Sequence, residues 1–532
     1  MKRSLVVDKF KVENRHPENE WDLLIIGGGA TGLGIALDAS LRGLKTILLE
    51  RGDFASETSS NSTKLSHGGV RYLKTLEFKK ILESSKEQLV MKTLAPHLVN
   101  DVEFFLPAKN IVQLVFYRIG FFIFDFLSLF AKLFDQRNSA ESKMIFQHEI
   151  KNRLPSLNTS KSRFGIKYRD CQFDDARFAL ELAKQSLEEG AIVLNYFNVE
   201  RILKEDGGVK GVVATDLESG ESCSIRAKVV VNATGPFSDS ILKKDDKLTP
   251  DIIKPLKGIH LVLPREFLDS DTALIVPETS RKRVFYVIPW HGRVLVGTTE
   301  TLVDLNEGEA LRRDIESSEI KYLLEEFAIH FTSKPAVSDV LSAFSGIRPI
   351  VQSPSDDKLT FDSRDHSIFI SESGLVTIAG GKWTTYRRMA IDVVDQVMIS
   401  ANFIKMPSRT SEIVFASTEQ IVTSPIHLRH FGSRAKDIEL LENENEFFKS
   451  LVDERLPLRW SWVYWAIHFE FAVHLEDVLI RRSRSIILNA DATFDIARPV
   501  AEFMAKELGK DEKWVGEEIV RFEKNCAVYR VK

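Results

Sequence analysis

The feature that most constrains this chain is a glycine turn set between two apolar runs near the N-terminus. Residues 22–26 form a short apolar run that ends in three glycines; a helical pattern continues to Arg42, and a second apolar run covers 46–50. The segment IIGGGATGLG matches G-x-G-x-x-G through Gly27, Gly29 and Gly32, positions where a missing side chain permits a tight turn, close approach of a pyrophosphate and close helix packing. The helix N-terminus then faces the phosphates. Glu50 closes the second strand about 20 residues on, where a carboxylate accepts hydrogen bonds from a ribose diol. Strand, glycine turn, helix, strand and acid in register predict a dinucleotide site in an α/β fold.

Bulk properties set the frame around that unit. The 532 residues, 44% hydrophobic and 28% charged, suit a folded protein of two or three domains. A net charge of -4 provides no long-range field for nucleic acid, so none is expected as a partner. Cys171, Cys223 and Cys526 form no CxxC pair and show no metal-ligand spacing, which predicts no metal and a reducing, cytoplasm-facing location. The first 22 residues have an apolar run too short for a signal-peptide core and are too acidic for a transit peptide, so no targeting segment is expected. Residues 116–134, FYRIGFFIFDFLSLFAKLF, look almost membrane-like. Arg118, Asp125 and Lys132 interrupt them, each at roughly 3 kcal/mol in mid-bilayer, so the segment should not span. Two readings stay open for it: a buried helix, or a helix whose aromatic face rests in the bilayer interface.

Periodicity predicts helices over 77–94 and 176–188, a strand over 192–196, a hairpin of 209–216 with 222–226, and a buried strand over 229–232. From 259 to 297 the runs HLVLP, VFYVIPW and RVLVGTT, β-branched and aromatic with Gly or Pro at their ends, suit an antiparallel sheet. Helical patterns dominate past 407, including one over 460–482. The chain divides accordingly into residues 20–105, 165–255 and 340–406 as a discontinuous nucleotide-binding domain, 106–164 and 256–339 as a substrate domain, and 407–532 as a helical domain.

The glycine fingerprint does not separate FAD from NAD, since both share the ADP half. Three segments further along the chain favour FAD. RGDFASETSSNSTKLSHGGVRYLK is too polar for a buried strand and can wrap a pyrophosphate and flavin edge; VNATGPFSD returns the chain to the same place; IAGGKWTTYR offers amides and a helix N-terminus to the anionic locus of a reduced flavin.

In order along the chain, TSSNSTKLSHGGVRYL, YRDCQFDDAR, VNATGPFSD, KGIHLVLP, SGIRPI and GGKWTTYR resemble the FAD-dependent glycerol-3-phosphate dehydrogenases, and HFGSRA and EDVLIRRSR in the tail are similar to that family's C-terminal domain. The resemblance implies a Rossmann-like FAD-binding domain of the D-amino-acid-oxidase/glutathione-reductase type, an antiparallel-sheet substrate domain and a helical cap. It also implies non-covalent FAD, glycerol 3-phosphate as substrate, a membrane quinone as acceptor, peripheral attachment to the inner face of the cell membrane, and a homodimer. Cofactor contacts carry over to Gly27, Gly29, Ala30, Thr31 and Gly32 in the turn, and to Glu50 and Arg51 after it. Thr58, Ser59, Ser62, Lys64, Leu65, His67, Gly68 and Gly69 come next in the polar stretch, then Val199, Ala233, Thr234 and Gly235, and finally Gly381, Lys382 and Thr384. No D-x-D-x-D-G loop occurs in the tail, so the calcium control of mitochondrial relatives is not expected.

The same likeness places Arg71, Tyr72, His260, Arg348, Arg364 and Lys382 around the substrate. Oxidising a secondary alcohol requires hydride departure to flavin N5, removal of the hydroxyl proton and a clamp for a phosphate dianion. Guanidinium groups grip phosphate bidentately and lysine adds a point charge, which suits Arg71, Arg348, Arg364 and Lys382. His260 is the preferred proton acceptor and Tyr72 the alternative. Structural roles compete: Arg348 on loop carbonyls, Arg364 paired with Asp362 or Asp365, and Tyr72 packing on the flavin. Arg481, Arg482 and Arg484 are expected on a solvated helix face or dimer contact. Three other functions remain to be separated: an oxidase of the same substrate that makes peroxide, a flavoenzyme acting on another alcohol or an amine, and a non-catalytic FAD-binding membrane-associated module.

Overall fold

The computed structural model describes residues 2–16, 19–68, 77–132, 142–303, 314–352, 365–416 and 418–531. Helix α1 (Arg3–Glu13) buries Val6, Val7 and Phe10. The glycine unit forms β1 (Trp21–Ile26), α2 (Ala30–Leu41) and β2 (Thr46–Leu49). β1 is flanked by strands on both edges and is almost wholly buried, which is why its residues are apolar without alternation.

The chain continues through β3 (Leu65–Ser66), α3 (Phe78–Leu94), β4 (Val99–Pro107), α4 (Ile111–Lys132), β5 (Lys143–Phe146), α5 (Gln147–Arg153), β6 (Phe164–Phe173) and α6 (Asp175–Glu188). The Asp174 side chain caps α6 by accepting from the Arg177 amide at 3.2 Å. Next come β7 (Ile192–Leu194), β8 (Phe197–Glu205), β9 (Gly208–Asp216), β10 (Ser222–Asn232), α7 (Ser238–Asp245) and β11 (Ile253–Pro264). β12 (Thr272–Val276), β13 (Phe285–Trp290), β14 (Arg293–Gly297), β15 (Thr301–Leu302) and α8 (Ser317–His330) complete the middle. β16 (Ser342–Val351), β17 (His366–Ile370), β18 (Val376–Gly380) and α9 (Tyr386–Ser400) bring the chain back to the start.

Two sheets organise these strands. In the first, β18, β10, β1, β2 and β7 run parallel in that order, β17 lies antiparallel on the outer edge, and β8 and β9 fold back against β10. The second runs β15-β11-β14-β13-β12-β4-β6-β3, with β16 on β11 and β5 on β6; every pairing is antiparallel except β12 on β4. Sheet membership crosses the expected domain limits, because β4, β6 and β16 belong to the second sheet. The period of two along β11 explains its two faces. Ile259, Leu261 and Leu263 enter a core with Leu323 and Phe327 of α8, whereas Val262 joins Phe344, Ile288 and Leu295 under the C-terminal helices.

Several boundaries depart from the sequence reading for physical reasons. The strand expected over 192–196 stops at Leu194, and Tyr196 turns at φ 61 to place its hydroxyl 2.5 Å from Asp477. The helix expected over 460–482 breaks after Phe469, where Phe471 takes φ 62 and the Glu470 carboxylate turns inward to hold Arg177 at 2.8 and 2.9 Å. The helix beginning at Ile111 covers the Phe-rich stretch as far as Lys132.

The expected solvated face of Arg481, Arg482 and Arg484 is corrected: all three are buried. Arg481 pairs with Asp53 at 2.5 Å and Asp477 at 2.6 Å, Arg482 pairs with Asp53, and Arg484 pairs with Asp175 at 2.7 Å. Desolvating a guanidinium costs several kcal/mol, so these arginines can be inside only because carboxylates meet them there. Burial alone would raise the Asp477 carboxyl, but Arg481 and Arg482 override it and hold the pKa at about 2. Asp53→Ala leaves two buried guanidinium groups without that counterion. It is expected to cost roughly 3–5 kcal/mol of stability, read as a lower urea midpoint at unchanged slope.

Candidate functional site

A long groove opens where β1, β10 and β18 end, enclosing about 1450 Å3 of free space including its mouth. Gly27 stands at φ +109, and a Cβ there would lie 2.7 Å from the Ala233 carbonyl oxygen, so the close approach of the β1 and β10 turns requires glycine. Gly29 caps α2, and the Ser59 hydroxyl accepts from the Ala30 amide at 2.9 Å. Glu50 Oε2 accepts from the Gly28 amide at 2.6 Å and Oε1 from the Gly52 amide at 2.7 Å. Burial raises the Glu50 carboxyl above its ordinary range while those two amides pull it back. Three segments distant in sequence are stitched along the groove. The Thr58 hydroxyl donates to the Ile347 carbonyl at 2.5 Å, and the Trp383 indole donates to the Ser59 carbonyl at 2.8 Å.

Many of the residues singled out in the sequence come together here. Gly27, Gly29, Ala30, Thr31, Glu50, Arg51, Thr58, Ser59, Val199, Ala233, Thr234, Gly235, Gly381 and Lys382 all line the groove. Gly32 lies beneath, against the backbone of Gly27. The other candidates stand elsewhere. Ser62 and Lys64 are tied to Asp175, His67 and Gly68 contact Asp170, Leu65 is in the core, and Thr384 is buried in the turn before α9. Gly69, Arg71, Tyr72 and Arg364 lie outside the described residues. The sequence reading passed over Phe237, which lies under Arg51 at 5.0 Å, and Trp383, Met389 and Pro349, which also line the groove. Only Trp383 carried a signal, since it comes directly after Gly-Gly-Lys.

The second sheet carries its own candidates behind the loop that walls the groove. His260 pairs with Phe344 across β11 and β16, and its ring stacks on Phe344 at 4.9 Å and 11°. Its Nε2 lies 3.1 Å from Thr63 Oγ1, while the buried Nδ1 has no hydrogen-bond partner among the described residues. Burial, then the charges of Arg348 and Lys64, hold the imidazole well below its ordinary pKa, so the ring is neutral near neutral pH. Arg348 lies four residues along β16 from Phe344, hence on the same face. Its Nη2 donates to Thr298 at 3.3 Å, and Nη1 is 3.8 Å from Glu300. Pro349, next to Arg348, lines the groove beside Lys382, whose Nζ donates to Ser84 Oγ at 2.7 Å. Lys382 and Pro349 thus line the groove, while Arg348 and the buried His260 stand behind that wall on β16 and β11.

Comparison with known proteins gives this arrangement a family. The model described as FAD dependent oxidoreductase matches residues 22–387, and that of the C-terminal domain of alpha-glycerophosphate oxidase matches 376–515. The mitochondrial glycerol-3-phosphate dehydrogenase of Bos taurus is 34% identical over 537 residues, covering 94% of this chain and 72% of that protein. This chain belongs to the FAD-dependent glycerol-3-phosphate dehydrogenase family. The mitochondrial dehydrogenase of Saccharomyces cerevisiae is 32% identical, covering 96% of this chain and 90% of its own length. The structure of the Bacillus halodurans glycerol-3-phosphate dehydrogenase, complexed with FAD, superposes with a TM-score of 0.77 at 27% identity over 98% of both chains. The L-alpha-glycerophosphate oxidase of Mycoplasma pneumoniae, at 19% identity and a TM-score of 0.55, shares the fold.

FAD is the cofactor of this family, and the groove suits it: glycine backbone at the α2 N-terminus for the pyrophosphate, a carboxylate at the far end of β2, and a continuous cleft onward to Lys382. Gly27→Ala should push the β1 and β10 turns apart. The purified variant is expected to be colourless or nearly so, measured as the ratio of flavin to protein absorbance.

Proposed function

We propose that this chain oxidises sn-glycerol 3-phosphate to dihydroxyacetone phosphate with non-covalently held FAD and passes the electrons to a membrane quinone. The observation that carries this reading is the groove that runs from the Gly27 turn to Lys382 and Pro349, with Arg348 next to Pro349 on β16 and His260 paired to the same strand. FAD, when bound, supplies the two-electron acceptor for the hydrogen leaving C2. The groove residues Gly27, Gly29, Ala30, Thr31 and Thr234 hold its phosphates, and Glu50 holds the adenosine ribose. His260 takes the C2 hydroxyl proton, and its neutrality keeps that capacity available below the ordinary histidine range. Arg348 grips the substrate phosphate with help from Arg71 and Arg364, and Lys382 steadies the developing carbonyl oxygen. Tyr72 remains the alternative base.

Arg348→Ala is expected to abolish bleaching of the flavin band by moderate glycerol 3-phosphate under anaerobic conditions while FAD stays bound. A colourless variant would make Arg348 a structural residue instead. Because the tail matches a domain of alpha-glycerophosphate oxidase, oxygen is the second candidate acceptor. Peroxide formed mole for mole with substrate consumed would favour it over quinone.

Helix α4 supports a membrane-surface location. Leu114, Phe121 and Phe124 are buried, yet Ile111, Val112, Val115, Phe116, Ile119 and Phe122 each expose half or more of their surface. Helical spacing gathers these six onto one arc without a polar side chain, the opposite of an ordinary surface helix. Among the described residues, no helix is long and apolar enough to cross a membrane. The arc therefore suits shallow burial at the headgroup boundary. The pair Phe116→Glu and Phe122→Glu is expected to abolish cosedimentation with anionic phospholipid vesicles and to leave anaerobic bleaching intact.

A further inference from the structure

One buried cluster has no part in the proposed chemistry, although it stands directly behind the proposed base. Asp175 opens α6 and is fully buried, and its carboxylate accepts from four different residues. The Ser62 hydroxyl donates at 2.6 Å and the Ser62 amide at 3.1 Å; Lys64 Nζ is 2.8 Å away, Arg484 Nη2 2.7 Å, and the Ala176 amide 2.9 Å. The Ser60 carbonyl accepts from both cations as well, from Lys64 at 2.5 Å and Arg484 at 3.0 Å. Lys64 and Arg484 both adopt left-handed backbone, at φ 62 each, which non-glycine residues hold only where surrounding contacts impose it. Residues 60, 62 and 64 are thus anchored on one side, and between them Thr63 meets His260.

The contact decides which imidazole nitrogen carries the proton. A neutral imidazole has one N–H and one lone pair. A buried N–H without a partner is costlier and rarer than a buried acceptor without one, so Nδ1, which has no partner among the described residues, carries the lone pair and Nε2–H donates to Thr63 Oγ1. We infer that Asp175, Lys64 and Arg484 form a positioning node that presents Thr63 to His260 and so fixes the ring's tautomer, with Nε2–H on Thr63 and the lone pair on Nδ1. The inference rests on the proposed role of His260. Charge acts in the same sense as geometry. Lys64 and Arg348 face the ring, with Asp175, Asp174 and Arg484 behind Lys64 and Glu300 beside Arg348, and the two facing cations disfavour imidazolium. Burial and then Arg484 lower Lys64 itself to about 7, against the pull of Asp175.

The test uses the full-length, FAD-loaded chain and the rate of anaerobic flavin bleaching by glycerol 3-phosphate across pH. Thr63→Val removes the acceptor at nearly constant volume and is expected to slow bleaching by about 10- to 100-fold at unchanged FAD content. Thr63→Ser is expected to restore the rate to within about threefold, a rescue that a packing role would not produce. Lys64→Met removes a facing cation, so His260 gains its proton at higher pH and the acid limb of the rate profile moves up. Bleaching by Thr63→Val at the wild-type rate, or a Thr63→Ser variant as slow as Thr63→Val, overturns the inference. His260→Asn is the reference: if it bleaches at the wild-type rate, the base assignment itself falls and takes the inference with it. If it is slow while Thr63→Val is fast, only the positioning role is lost.

Discussion

An ionised side chain taken out of water must find its counterion inside the protein, and here those counterions come from the far end of the chain. Asp53 lies three residues beyond Glu50 of the groove wall and is met by Arg481 and Arg482. Asp175 gathers the polar loop at Ser62 and Lys64 and is met by Arg484. His474 adds a third tie. Burial would lower its imidazole, but hydrogen bonds to Glu218 and Glu518 override that and raise its pKa to about 9. The helical tail is therefore an electrostatic counterpart to the loop that walls the groove, as well as a lid over the second sheet. Removing one partner leaves the other stranded in a low dielectric, so these contacts hold the segments in one arrangement.

With the loop fixed, strand β16 sets the distance between the two sheets. Gly346 passes so close to Asn61 that a Cβ would lie 2.5 Å from its carbonyl oxygen, and Ile347 accepts from Thr58. The same strand carries Phe344 under His260, Arg348 beside Thr298, and Pro349 in the groove wall. One strand thus ties His260, Arg348 and the groove wall into a single frame, and a shift of its register by one residue would turn Arg348 to the opposite face.

The features legible in the sequence were local. The glycine turn, its helix and Glu50 are read within 30 residues, because strand burial, glycine geometry and the acid each leave a pattern at short range. Ordered motifs identified the family, and the runs HLVLP, VFYVIPW and RVLVGTT did become strands of an antiparallel sheet. Arg481, Arg482 and Arg484 were misread because a charge run usually means a solvated face, and nothing near them announces Asp53 or Asp175. Lys64 looked like a cofactor ligand for the same reason, since its partner is 111 residues away. Thr63 attracted no notice at all inside a stretch rich in hydroxyls. Arg71, Tyr72 and Arg364 fall outside the described residues, so their placement still rests on the motifs alone.

The span of these ion pairs also bears on how the protein is made. Asp53 and Arg481 are 428 residues apart, so during synthesis the wall of the groove waits for its counterions until the last tenth of the chain has left the ribosome. A nascent chain can close the β1–α2–β2 unit early, since that unit is local. It cannot fix the loop that walls the groove until translation is nearly finished. Incomplete chains therefore lack the arginine partners of Asp53 and Asp175, which arrive only with the final helices.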